Sequence, residues 1–260
     1  DLLVSGELAW LGGVMAGMGS TVSSGTLTLR GNIGLDGGRV LENRGTASWN
    51  AGCIDLNAGV EAGSGGLVNA EGATMVAGAS DYRIFAGNHS GADDGSDALF
   101  ENFGTLLVDS AQAGAFAVHF ANHGLLDIQR GILTVHASSF NTGVVAVGSL
   151  SAYRIDGDFD NPAPGHLRFR IAAPAQYGRM AVGGTAALAG SIGIDPVDGF
   201  EPAEGLALRV LDVGARSGTF DAIDPESPSD GLAYEVDYSE PTHIMVRVVP
   251  ARPPEARESR

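Results

Sequence analysis

The chain has 260 residues, 44% of them hydrophobic, which is enough to bury a sizeable core. Thirty-one acidic residues against fifteen basic ones leave a net charge of −16, a surface that repels phosphate backbones and argues against nucleic acid as a partner. All fifteen basic residues are Arg, which excludes Lys-based catalysis, and the lone Cys53 excludes an internal disulfide or a Cys-based zinc site.

The opening Asp1-Leu-Leu-Val-Ser-Gly-Glu-Leu lacks the charged start and apolar run of a signal peptide, and reads as a mature chain or a segment of something longer. No later stretch approaches the roughly 18 apolar residues of a membrane span. Gly6-Glu-Leu-Ala-Trp10 and Gly25-Thr-Leu-Thr-Leu-Arg30 read as strands, and the alternation from Thr26 to Leu29 turns one face to a core.

From residue 41 a phrase recurs: apolar residue, any residue, Asn or Thr, turn, Gly, strand. Its copies are Leu41-Glu-Asn-Arg-Gly-Thr, Leu67-Val-Asn-Ala-Glu-Gly-Ala-Thr with one residue extra, Phe100-Glu-Asn-Phe-Gly-Thr-Leu, Phe120-Ala-Asn-His-Gly-Leu-Leu, and Phe140-Asn-Thr-Gly-Val with one residue missing before its glycine. The last three open at steps of twenty, the period of a solenoid. Rungs stacked about 4.8 Å apart turn such a repeat into ladders. Phe100, Phe120 and Phe140 are expected to form an internal aromatic stack, with Asn102 and Asn122 bonded amide to amide beside it. Gly45, Gly72, Gly104, Gly124 and Gly143 are expected to supply positive φ at the corners. The longer early intervals imply loop insertions between rungs.

The longest interval contains the acidic run His89-Ser-Gly-Ala-Asp93-Asp94-Gly-Ser-Asp97, whose Asp93, Asp94 and Asp97 are candidate calcium ligands on an insertion loop. A second candidate, Asp156, Asp158, Asp160 and Asn161, has D-x-D-x-D spacing without the glycine and glutamate of an EF-hand. His119, His123 and His136 lie in neighbouring rungs, but their offsets from the phenylalanine steps place them in different columns. Beyond calcium no cofactor is expected. The spacing divides the chain into β-solenoid repeats over 1–155, a turn-rich joint at 156–165, a C-terminal β section or cap over 166–249, and a flexible tail over 250–260.

The repeated phrases resemble the F-x-N-x-G-T-L repeats of large bacterial surface proteins of the autotransporter-passenger and adhesin type. Tyr177-Gly-Arg-Met-Ala-Val-Gly-Gly-Thr-Ala-Ala-Leu-Ala-Gly and Leu208-Arg-Val-Leu-Asp-Val-Gly-Ala-Arg-Ser-Gly-Thr-Phe220 are similar to the region that ends many such passengers. The resemblance covers most of residues 6–249. It implies an all-β, right-handed parallel β-helix with a C-terminal β cap, exported and held at, or shed from, the outer surface of a bacterium.

The function expected from this reading is structural or adhesive: a rod that displays loops to a protein or glycan at a cell surface. One alternative is a subunit of a larger extracellular assembly, paired with another chain or another copy of itself. Another is a polysaccharide lyase or hydrolase, for which Asp127 and Arg130, on one rung, are the candidate pair. No G-x-S-x-G supports a serine hydrolase.

Overall fold

A computed structural model describes residues 1–78, 82–89, 93–225 and 227–251. Residues 90–92 of the acidic run and 252–260 of the expected tail lie outside the described residues. Among the described residues there is no helix, and therefore none long and apolar enough to cross a membrane.

Short strands separated by tight corners wind the chain into a parallel β-helix with three faces. The first coil shows the plan: Leu2–Val4, Glu7–Trp10 and Gly13–Met15 lie under Gly19–Ser23, Thr26–Arg30 and Ile33–Leu35, each pair parallel. Alternation decides what is inside. In Thr26–Arg30, Leu27 and Leu29 are fully buried while Thr26 and Arg30 face out. Stacking extends this pattern along the axis into one continuous core from Trp10 to Val248.

Asparagine sets the register of the first face. Asn43, Asn69, Asn102, Asn122, Asn141 and Asn161 stand above one another, each 1% exposed or less. Each Nδ2 donates to the next Oδ1, at 2.8, 2.8, 2.7, 2.8 and 2.7 Å in order. Most also donate to a backbone carbonyl one coil on, as Asn122 does to Val144 at 3.0 Å. A buried amide must satisfy both its donors and its acceptor, and this stack does so without water.

The phenylalanine series follows a different path from the expected one. Phe100 and Phe120 are paired inside, with ring centroids 5.2 Å apart, and Phe116 from the third face closes on both at 5.5 and 5.4 Å. Phe140 does not join them. The residue missing from its phrase lies between Phe and Asn, so alignment of Asn141 with Asn122 puts Ser139 opposite Phe120 and turns Phe140 outward beside Ala121. Tyr153 reaches across to fill the vacated interior, and its hydroxyl shares a 2.8 Å hydrogen bond with buried Ser139 Oγ.

The corner glycines also differ from expectation. Gly72 alone of the five has positive φ, at 76°, and it accommodates the extra residue of its phrase. The others are required by close approach: a Cβ on Gly124 would stand 2.1 Å from the Gly104 carbonyl oxygen, and one on Gly143 2.1 Å from that of Gly124.

Parallel pairing continues past residue 155. Phe159–Asn161 stacks on Ser139–Asn141, His166–Ala173 on Val144–Val147, and Ser191–Pro196 on His166–Ala173. The hairpin of Leu232–Asp237 and His243–Pro250 then closes the C-terminal end by antiparallel pairing to Ala207–Gly218. This cap removes the open edge that the last coil would otherwise present.

Candidate binding surface

The corners between the third and first faces vary most in length. They span 56–65 and 86–98 in two adjacent coils, then shrink to 117–118 and 136–138. The two long corners brace each other. Asn57 Nδ2 donates to the Asp93 carbonyl oxygen at 3.1 Å, Ser64 Oγ to Asp93 Oδ2 at 3.1 Å, and the Gly87 amide to Asp55 Oδ1 at 2.9 Å. His89 Nε2 lies 2.6 Å from the other Asp55 oxygen. Asp36, 2% exposed, holds the base of the first insertion by accepting from the Glu61 amide at 3.0 Å.

Where the lobe ends and the short corners begin, the surface drops in a step. A hollow of about 230 Å³ at its foot has Asp94, Gly95 and Ser96 as its wall and Val118 and His119 as its floor. His119 also lines a second hollow of about 220 Å³ on the first face, with Ala121, Phe140, Asp158 and Asp160. The outward shift of Phe140 thus builds the wall of this second hollow. Ala121, directly below it in register, is too small to fill the space between coils.

Beside Phe140 an aromatic row runs along the corner. Phe103 and His123 occupy the same place in consecutive phrases, between the ladder Asn and the corner Gly, and their rings stack 4.7 Å apart at 14°. His123 Nδ1 shares a 2.7 Å hydrogen bond with Thr142 Oγ1, which fixes the ring, and the ring meets Phe140 at 5.7 Å. Phe103 is 41% exposed. The twenty-residue phenylalanine step predicts one internal series, and this outward row is not part of that expectation. Its signal was present in Asn-Phe-Gly, Asn-His-Gly and Asn-Thr-Gly.

The proposed calcium ligands do not converge. Asp156 pairs with His136 at 2.6 Å, Asp158 Oδ1 accepts from the Thr185 amide at 2.7 Å, Asp160 faces out on the first face, and Asn161 is buried in the amide ladder. In the lobe, Asp93 is bound by Gly95 and Ser64. Asp94 accepts from the Ser96 amide, its pKa is lowered by hydrogen bonding to the Ser96 side chain and then to that amide, and Asp97 is exposed. No cluster of three or more His, Cys, Asp or Glu side chains with metal-binding geometry occurs among the described residues.

Asp127 and Arg130 separate as well. Asp127, 7% exposed, binds Arg170 at 2.6 Å and Gln129 at 3.0 Å, whereas Arg130 pairs with Asp109 at 2.9 Å. Further along the second face Arg168 grips Asp195 through two nitrogens. These carboxylates and guanidinium groups neutralise one another. Neither the protein-family models nor the curated proteins give a match to this chain.

Proposed function

We propose that the chain is a structural or adhesive β-solenoid of a bacterial surface, with the step between the long and short corners as its contact surface. The observation that carries this reading is the placement of both long insertions at one corner of two adjacent coils, cross-braced by hydrogen bonds. A solenoid tolerates insertion at its corners because each coil contacts only its neighbours, and loops held by a rigid scaffold are the usual place for recognition. The resemblance of the repeat phrase supports a location at or outside the cell surface.

The test compares beads coated with the intact chain and beads coated with a chain whose 58–63 and 88–96 segments are replaced by short turns. The adhesive reading expects the intact chain to hold beads to cell surfaces, and the trimmed chain to lose adhesion while keeping its strand-dominated circular dichroism. Equal adhesion by both would remove the lobe from the contact surface. Depolymerisation of polygalacturonate or alginate by the purified chain would replace the reading with an enzymatic one.

One observation favours a second reading, a subunit of a larger assembly. Among the described residues the coil of Leu2–Val4, Glu7–Trp10 and Gly13–Met15 is paired on one side only. Nearby Leu3, Leu11 and Met18 are 75%, 64% and 91% exposed. A coil paired on one side with an apolar surface beside it can take another layer of strands, whether from a further coil or from another chain. Sedimentation of the chain, alone and with Leu3→Asp and Leu11→Asp, tests this. A concentration-dependent oligomer that the substitutions dissociate supports it, and a monomer at all concentrations refutes self-assembly.

A further inference from the structure

We propose that the hollow over Ala121 on the first face is a subsite for an amino sugar of a surface glycan, stacked on Phe140 and held by Asp158 and Asp160. This names a ligand for the adhesive reading and rests on it.

Three features converge on that chemistry. The first is an aromatic wall fixed before any ligand arrives. Phe140 stands on a strand paired on both sides, and His123, clamped by Thr142, packs against it. The energy that usually goes into ordering a binding side chain is therefore small here. An aromatic row left partly exposed, with Phe103 41% exposed, is also an informative departure for a protein surface.

The second feature is uncompensated negative charge. The Asp160 side chain is exposed and its carboxylate makes no ion pair or hydrogen bond among the described residues, and the Asp158 carboxylate uses only Oδ1, for the Thr185 amide. The guanidinium groups that neutralise carboxylates on the second face have no counterpart here: neither Asp158 nor Asp160 belongs to an ion pair among the described residues. On a chain of net charge −16 these two carboxylates, at the edge of a mostly apolar hollow that His119 also lines, favour an ammonium group, which gains from the carboxylates and from the face of the Phe140 ring together.

The third feature is size and shape. At about 220 Å³ the hollow falls below the roughly 300–1,000 Å³ of sites for drug-sized ligands, and it accepts one small ring rather than an extended molecule. The recurring modes of peptide recognition do not fit it. The strands beneath are already paired on both sides, so no edge is open for an added strand, and a one-residue hollow is no groove for a helix. A pyranose offers one apolar C–H face to Phe140, while its amino and hydroxyl hydrogens point at the carboxylates.

The experiment titrates the intact chain with a glucosamine oligomer, its N-acetylated equivalent, polygalacturonate and poly-lysine, by calorimetry at fixed ionic strength. The proposal expects binding of the glucosamine oligomer, at least tenfold weaker binding of the N-acetylated oligomer, and none of polygalacturonate. Phe140→Ala and Asp160→Asn should each weaken binding at least tenfold with unchanged circular dichroism, whereas Glu204→Gln, at an exposed carboxylate elsewhere, should leave it within twofold. Absence of binding, or binding indifferent to Phe140→Ala, overturns the proposal. So does equal affinity for the N-acetylated oligomer, or poly-lysine binding with the same dependence on Phe140. Bead adhesion that survives Phe140→Ala and is lost on trimming the lobe would reject this subsite while leaving the adhesive reading in place.

Discussion

Asn122→Ala in the middle of the amide ladder should destabilise the protein more than any exposed substitution on the same face. The side chain accepts from Asn102 Nδ2 at 2.7 Å and donates to Asn141 Oδ1 at 2.8 Å and to the Val144 carbonyl at 3.0 Å, in a site 1% exposed. Truncation strands the Asn141 oxygen in a dry interior, at about 1–3 kcal/mol, and weakens two further bonds worth about 1 kcal/mol each. The expected loss is therefore about 3–5 kcal/mol by equilibrium urea unfolding followed by far-UV circular dichroism. Asn50→Ala, at an exposed amide bonded only to Ser48 at 3.3 Å, should cost under about 0.5 kcal/mol. Asn122→Asp sharpens the test. It keeps the shape but replaces the donor by an acceptor facing Asn141 Oδ1, and burial raises the folded-state pKa of the new carboxyl above its unfolded value of about 3.9. Between those two values the folded state binds the extra proton, so this variant should gain stability as pH falls, opposite to the usual behaviour of a paired carboxylate. Equal losses at Asn122 and Asn50, or an Asp variant whose stability is flat with pH, would show that the ladder is not what holds the register.

The two phenylalanines twenty residues apart should behave differently. Phe120→Ala, inside the Phe100–Phe116 cluster, should cost about 3–5 kcal/mol in the same unfolding assay, and outward Phe140→Ala about 1 kcal/mol or less. Similar losses at both would contradict the shifted register. A double-mutant cycle of Ser139→Ala and Tyr153→Phe should return a coupling of about 1 kcal/mol for their buried hydroxyl pair, and additive effects would mean that the hydroxyls do not interact. His166 has its pKa lowered, mainly by burial and then by Arg168, and its Nε2 is buried without a partner among the described residues. The unfolded chain therefore takes up this proton first, and stability should decline as pH falls below about 6.5 toward the folded-state value. Melting temperatures across that range should fall less steeply in His166→Gln, and an unchanged slope would exclude His166 as the source.

Much of the architecture is written in local pattern. Alternation such as Thr26 to Leu29 is enough to orient a strand, because its period of two does not depend on what lies on either side. The repeat phrase announces stacking, and uneven spacing announces insertions at corners, which is where 56–65 and 86–98 lie. The placement of acidic side chains was not legible in the same way. The D-x-D-x-D spacing at 156–160 brings charges close in sequence, yet it crosses a corner, so Asp156 turns to His136, Asp158 to the Thr185 amide and Asp160 to the first face. The binding surface was hidden for a related reason, since Phe140, His119 and Asp160 come from three different coils.

The outward turn of Phe140 shows which residue sets the register. A twenty-residue step in Phe and a nineteen-residue step in Asn compete between 120 and 141, and the structure follows Asn. The energetics favour that outcome. A slip of one residue to keep Phe140 inside would pull Asn141 out of the ladder, leaving one of the two Asn122 Nδ2 hydrogens and the Asn161 Oδ1 without their buried partner, at about 1–3 kcal/mol apiece. Keeping the ladder costs only the burial of one ring, and buried Tyr153 reaches the Ser139 that stands opposite Phe120 in its place. Apolar contacts can be made good by any neighbour of suitable volume, whereas a buried amide has to meet its partner at a fixed distance and direction. In a solenoid the polar ladder therefore dictates the register, and a large apolar residue that falls out of phase with it is delivered to the surface, here as the wall of the first-face hollow.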